Sequence, residues 1–351
     1  MLTTWVLLAL GLLLLAVGAE LLVRGAGGLA RLAGVSPLVA GLTVVALGTS
    51  APELVVSALA TAQGRHDVAV GNVVGSNVLN VLLILGACAV LRPLVVARQL
   101  VTREIPIMIA VSLLLWFLGL DGRLSVFEGL LLCAGLVWFT VDSIRQSRRE
   151  TAAAGAAYTV QGSLWPSLGL VTVGLVLLVA GARLLVDSAV TVAEGFGIDE
   201  AVIALTIVAA GTGLPEVATS VVATLRGERD IAVGNVVGSN IFNVLGVLGV
   251  SSLLAGGALR VAPSLENFDI PVMAAVAVAC LPLMARGHRL ARWEGALFLA
   301  YYAAYTGYLV LAAQQHAALP RFSAVMLEFV IPLTIATVVA LTLQHQRRGR
   351  A

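Results

Sequence analysis

The chain has 351 residues, 60% of them hydrophobic and only 11% charged, and its formal net charge is +2. A water-soluble domain carries about a quarter of its residues as charges, so this composition excludes a soluble enzyme or binding module; the mean hydropathy of +1.02 points to a bilayer instead. No basic run of nucleic-acid-binding length lies away from the segment ends, and no nucleic-acid or protein partner is implied. Cys88, Cys133 and Cys280 sit in apolar stretches without metal-ligand spacing and read as small packing residues.

Apolar runs of about 20 residues, the length that crosses a hydrocarbon core as a helix, recur from end to end. They are continuous rather than alternating, which argues against a barrel and predicts an all-α polytopic membrane protein. Eleven spans are predicted, at 3–23, 37–62, 68–91, 104–120, 124–144, 166–187, 198–224, 231–255, 269–285, 292–312 and 324–343. The first lacks a positive n-region and a small-residue cleavage site, so it reads as a retained helix rather than a signal peptide. The last is the weakest, because it carries Glu328 and Pro332. There is no lysine; with the N-terminus outside, 16 arginines fall inside and 5 outside. Positive-inside bias therefore predicts a cell (inner) membrane protein with an external N-terminus and a cytoplasmic tail, Arg347-Arg348-Gly349-Arg350. No loop is long enough to fold as a regulatory domain.

An internal repeat organises the chain. Asp67–Asn77 reads DVAVGNVVGSN and Asp230–Asn240 reads DIAVGNVVGSN, while GTSAPE at Gly48–Glu53 matches GTGLPE at Gly211–Glu216. Both pairs are offset by 163 residues. Five spans per copy reverse the direction of the second, which predicts an inverted repeat about an axis in the membrane plane. The predicted divisions are a first repeat over 1–145, a cytoplasmic linker over 146–163, a second repeat over 164–312, and an extra C-terminal helix with a basic tail over 313–351.

The repeated motif gathers oxygen. An ionised carboxylate in the bilayer interior costs roughly 2.5–3.5 kcal/mol on insertion scales, and Glu53 and Glu216 both lie deep inside spans. Glu20–Arg24 and Arg183–Asp187 are i, i+4 pairs near helix ends and are expected to be self-paired, leaving no intramembrane base for the glutamates. Pro52 and Pro215 lack the N–H that would bond the carbonyls of Gly48 and Gly211, and irregular backbone at membrane depth survives only where it is buried in protein or lines a cavity. The Thr49 and Thr212 hydroxyls stand beside those carbonyls. On the following spans, Asn72, Ser76 and Asn80 share a face, as do Asn235, Ser239 and Asn243. Asn72, Asn77, Asn235 and Asn240 are expected to bond between helices, whereas Ser76, Asn80, Ser239 and Asn243 are better placed to face the glutamates. Gly71/Gly75 and Gly234/Gly238 are small-xxx-small pairs expected at close helix contacts. Calcium takes 6–8 oxygen ligands of these kinds, and a set without His or Cys argues against zinc or copper.

These doubled motifs, G-T-S-A-P-E and G-T-G-L-P-E, each followed by G-N-V-V-G-S-N-x-x-N, resemble the two alpha repeats of the calcium/cation antiporter superfamily, specifically the prokaryotic sodium/calcium exchanger type. The resemblance covers about residues 1–312 and leaves the eleventh span outside the family's ten-helix core. It implies no cofactor, with Ca2+ and Na+ as transported ions, in a cluster where calcium competes with sodium and the two leading helices slide to give alternating access. By position, it implies a central site of Glu53, Glu216, Thr49, Thr212 and the carbonyls near Ala46 and Ala209. Flanking sodium sites would use Ser50, Ser76 and Ser239, with Asn80 and Asn243 beside the centre. Gly213 departs from the serine many members carry, so one sodium-ligating hydroxyl is missing. Asn243 departs from an aspartate found in several, which in the family goes with potassium independence. An alternative on the same fold is proton-coupled antiport of Ca2+ or another divalent cation, since a buried carboxylate can take a proton in place of a cation. A remote alternative is an intramembrane enzyme, disfavoured because no HExxH-type helix or Ser/Lys pair accompanies the glutamates.

Overall fold

The computed structural model describes residues 2–153, 163–195, 211–336 and 339. Within them, nine helices are long and apolar enough to cross a membrane, and a bent pair makes a tenth span. We label the helices α1 (Thr4–Ala33), α2 (Pro37–Thr49), α3 (Ala51–Ala62), α4 (His66–Leu91), α5 (Leu100–Asp121), α6 (Val126–Glu150), α7 (Leu164–Val192), α8 (Leu214–Arg226), α9 (Arg229–Leu254), α10 (Leu265–Ala285), α11 (Arg292–Ala313) and α12 (Leu319–Ala336). The all-α polytopic architecture and the inverted repeat are thus present: α1, α3, α4, α5 and α6 recur as α7, α8, α9, α10 and α11.

Several boundaries differ from the sequence reading. The first helix runs ten residues past the expected end, because Arg24 bonds back to Glu20 at 2.5 Å and long arginine stems keep their heads at the interface. The stretch expected to begin a linker at 146 is still helical to Ala153, supported by Gln146 donating to Glu150 at 2.7 Å. Residues 196–210, which include the first 13 residues of the seventh predicted span, lie outside the described residues, as does most of the linker. The eleventh predicted span is seen as α12, tethered to α11 by the Tyr301 hydroxyl donating to Thr334. Arg183 and Asp187, expected to pair, are both exposed and form no ion pair among the described residues. At that exposure a pair contributes little, and hydration competes with it.

Two short ribbons join the halves. β1 (Leu94–Val95) pairs with β4 (Arg289–Leu290), and β2 (Arg123–Ser125) with β3 (Ala258–Arg260), both antiparallel. The first ribbon lies on the face where Arg148 donates to the Ala33 carbonyl and Arg292 to that of Leu91. The second lies on the face where the Arg260 N–H donates to His66 Nδ1. α9 is buried without interruption from Ile231 to Gly249 and α4 along most of its length, so these two helices form the centre; α1, α7 and α12 are peripheral.

α1 and α7 cross on a seam of glycines. A Cβ on Gly18 would lie 2.8 Å from the Gly174 carbonyl and 2.9 Å from the Leu178 nitrogen, and one on Gly174 would lie 2.8 Å from the Gly18 carbonyl. Gly11 and Gly181 face each other in the same reciprocal way. Backbone approach of this kind, open only to small residues, drives helix association where lipid removes the hydrophobic contribution. Gly234 and Gly238 on α9 likewise admit the backbone of the α2 segment at Leu38 and Leu42. The counterpart contact of Gly71 and Gly75 would involve residues 201–205, outside the described residues.

Substituting Gly18→Leu is expected to lower stability by about 1–3 kcal/mol through overpacking, seen as a lower melting midpoint of the purified protein in detergent. Gly169→Leu, on an exposed face of α7 with open space beside it, should leave the midpoint unchanged.

Candidate ion-binding site

The motif prolines do not kink continuous helices; they begin new ones. α2 ends at Thr49, the chain turns by 43° at Ser50, and α3 starts with Pro52 in its first turn, where a missing N–H costs nothing. In the second half Pro215 holds the same place in α8. Ser50 (φ −83°, ψ 6°) and Gly213 (φ −80°, ψ −2°) have nearly the same backbone conformation, so the two breaks are equivalent. Each break places its glutamate in the first turn of a helix, with the N-terminal end of the helix dipole beside the carboxylate.

Glu53 and Glu216 are both buried, close enough to feel each other's charge, and neither meets an arginine among the described residues. Thr49, Ser50, Ser76, Asn80, Ser239 and Asn243 are also buried, and Thr212 is half-buried. Ala209 lies outside the described residues. The Ala46 carbonyl accepts the Ser50 N–H at 3.0 Å and lies 3.5 Å from the Thr49 hydroxyl oxygen.

A lattice of amides sets the direction of every donor. Thr49 donates to Asn235 Oδ1 at 3.1 Å and Thr212 to Asn72 Oδ1 at 3.3 Å. Each hydroxyl therefore spends its one proton across the repeat boundary and keeps its lone pairs. Asn72 Nδ2 donates to Ser57 Oγ at 3.0 Å and Asn235 Nδ2 to Ser220 Oγ at 3.0 Å. Asn80 Nδ2 donates to Asn240 Oδ1 and Asn243 Nδ2 to Asn77 Oδ1, both at 3.0 Å. Asn77 and Asn240 in turn donate to each other's backbone carbonyls, at 3.2 and 3.4 Å. The bridging role expected of Asn72, Asn77, Asn235 and Asn240 is what the structure shows.

What remains is a set of oxygens. Both Glu53 oxygens, Glu216 Oε2, Asn80 Oδ1, Asn243 Oδ1 and Ser239 Oγ are buried without a hydrogen-bond partner. Buried polar groups are ordinarily paired, and five of these six atoms can only accept. Such a donor-poor group of carboxylate, amide and hydroxyl oxygens suits a hard cation. Among the described residues no cluster of three or more His, Cys, Asp or Glu exists, so the amides and hydroxyls must supply what the two carboxylates do not.

The break at position 213 also explains an asymmetry. The Ser50 hydroxyl donates to Glu216 Oε1 at 3.0 Å; its counterpart is Gly213, and Glu53 correspondingly has neither oxygen bonded. Sequence reasoning missed Ser57 and Ser220, which anchor the amides of Asn72 and Asn235. Both follow their glutamate by four residues at the 163-residue offset, so the repeat carried that signal.

Comparison with known proteins agrees with this geometry. The family model described as sodium/calcium exchanger protein matches residues 3–144 and 166–311. The chain belongs to the sodium/calcium exchanger family. It is 39% identical over 264 residues to the putative antiporter CaxA of Alkalimonas amylolytica, covering 73% of this chain and 83% of that one. It is 32% identical over 296 residues to the sodium/calcium exchanger MaX1 of Methanosarcina acetivorans, covering 73% and 84%. Its structure is similar to that of the sodium-calcium exchanger NCX_Mj, with a TM-score of 0.75 and 31% identity over 87% of this chain and 98% of the other. The protein is therefore a multi-pass membrane transporter of the cation antiporter type.

Asn77 touches no candidate ligand site itself but fixes which way the Asn243 amide points. Asn77→Ala is expected to weaken calcium binding by about 10–100-fold, as loss of ligand-orienting contacts does, read from the calcium concentration that half-maximally stabilises the purified protein against heat.

Proposed function

We propose that this exchanger moves Ca2+ against Na+ by alternating access, with the cations held between Glu53 and Glu216. The supporting observation is the group of six buried, unpartnered oxygens on these two glutamates, Asn80, Asn243 and Ser239. Thr49 and Thr212 complete the central set through the lone pairs their donated protons leave free. Ser50, Ser76 and, from the second half, Ser239 form the flanking sodium positions, with the carbonyls of Ala46 and Ala209 as backbone ligands at the two breaks. Two carboxylates balance one divalent ion or two monovalent ions, so competition between calcium and sodium for one group of oxygens follows from charge alone. Asn243, an amide in place of a carboxylate, keeps the site at two negative charges and supports transport without potassium.

The chain would lie in the cell membrane with its N-terminus outside. The 16-to-5 division of arginines supports that orientation, and the ribbon pairing is consistent with it, because each ribbon joins two loops assigned to the same side. Proton coupling is the competing reading, since the same carboxylates could exchange a cation for protons.

Calcium-45 uptake into proteoliposomes loaded with sodium is the test, against potassium or choline inside. Uptake is expected only with internal sodium. Glu53→Gln and Glu216→Gln should each reduce it more than about 100-fold, beyond the effect of outer-shell substitutions. Uptake driven instead by a pH gradient in sodium-free buffer would transfer the assignment to proton coupling, and full activity in both variants would remove the glutamates from the site.

A further inference from the structure

A second feature lies on the arginine-rich face, away from the glutamates. A cavity of about 530 Å3 opens between the end of α1, the start of α7 and the connection from α8 to α9. Arg24 and Arg31 line it from α1 and Arg226 from α8. Gly27 leaves the α1 surface between the two arginines open, Gly28 admits the Ser167 side chain, and the Arg31 guanidinium folds back along both: a Cβ on Gly27 would lie 3.6 Å from one terminal nitrogen and one on Gly28 4.0 Å from the other. Leu170 and Ile231 supply apolar wall.

The charges here are only partly answered. Glu20 binds both Arg24 and Arg226, and one carboxylate neutralises one of them. Glu228 stands exposed at the rim and pairs with no arginine among the described residues. Arg31 has no side-chain partner among the described residues. Three guanidiniums against two carboxylates leave one positive charge facing the cavity, which matches the single negative charge of a phosphodiester. Guanidinium is the side chain best shaped to bind phosphate oxygens in pairs, and basic pockets between helices at a membrane face suit anionic headgroups. Positive-inside bias accounts for arginines on this face but not for three of them converging on one cavity. The duplication does not account for them either. At the 163-residue offset, Arg24, Arg31 and Arg226 correspond to Asp187, Glu194 and Gln63, so the basic set arose in one copy's environment only.

We propose that the Arg24–Arg31–Arg226 cavity binds a phosphate-bearing anion, either the headgroup of an anionic phospholipid or a free phosphate. The bound group would bridge Arg31 on α1 to Arg226 at the end of α8, adding to the Glu20–Arg226 link between the same two elements.

The test uses the full chain purified in a neutral detergent, with its melting midpoint followed against added phosphatidylglycerol, phosphatidylcholine or inorganic phosphate. Phosphatidylglycerol, but not phosphatidylcholine, is expected to raise the midpoint. Arg31→Gln should need at least about tenfold more lipid for the same rise, the loss expected for a hydrogen bond to a charged group. Arg31→Lys, which keeps the charge and loses the fork, should lose less. Arg65→Gln on the opposite face should respond like the parent protein. A rise produced equally by inorganic phosphate would assign the site to a free anion. No rise with either anion, or an Arg31→Gln response equal to the parent's, overturns the proposal, and neither result depends on transport activity.

Discussion

Two buried carboxylates, with no arginine paired to either among the described residues, set the terms for the rest of this molecule. Glu53 and Glu216 repel one another, and burial withdraws the solvent that would screen them. Arg24 and Arg226 are committed to Glu20, and no ion pair between an arginine and either of these two glutamates exists among the described residues. Their charge has to be met by something that comes and goes. The surrounding amides are arranged accordingly, with their protons spent on one another and on serines, and among the described residues only the Ser50 hydroxyl donates to one of the two carboxylates, that of Glu216.

The lattice of asparagines achieves this by reciprocity. Each amide that steers a ligand belongs to the half opposite that ligand: Asn77 orients Asn243, Asn240 orients Asn80, Asn235 receives Thr49 and Asn72 receives Thr212. The 11-residue near-identity between copies is explained by this. Neither copy can drift at these positions without disorienting a group in the other. Where the copies differ in a hydroxyl, Ser50 against Gly213, the position lies one step outside the lattice, and its effect is on which glutamate keeps a hydroxyl donor.

Much of this was legible in the sequence because duplication doubles every signal. The span pattern, the inversion, the burial of the two glutamates and the bridging role of Asn72, Asn77, Asn235 and Asn240 all follow from periodicity and the 163-residue offset. Other features were hidden for identifiable reasons. Pro52 and Pro215 signalled irregular backbone, since sequence shows a missing N–H but not whether the helix resumes in line; the turn at Ser50 shows that a new helix begins there. The end of α1 was placed too early because Arg24 looked like a terminator, whereas Glu20 one turn back lets the helix run through it. The glycine seam went unread because Gly11, Gly18, Gly174 and Gly181 recur at intervals of seven, not at the shorter spacing usually sought. The crossing of α1 and α7 also depends on tertiary placement that spacing alone does not give.

The ribbons carry a consequence of their own. β1 belongs to the first half and pairs with β4 of the second, while β2 of the first pairs with β3 of the second. Gly18 meets Gly174 and Gly11 meets Gly181 under the same exchange. Contacts in which each member of a pair swaps places with its counterpart are the isologous contacts of a two-fold homodimer. The interior of this chain is therefore a dimer interface that has been covalently closed. A half-length ancestor able to insert in either direction could have made every one of these contacts with a second copy of itself. Once the two copies were joined, each orientation was fixed, and features useful on one side of the membrane only could accumulate in one half without appearing in the other.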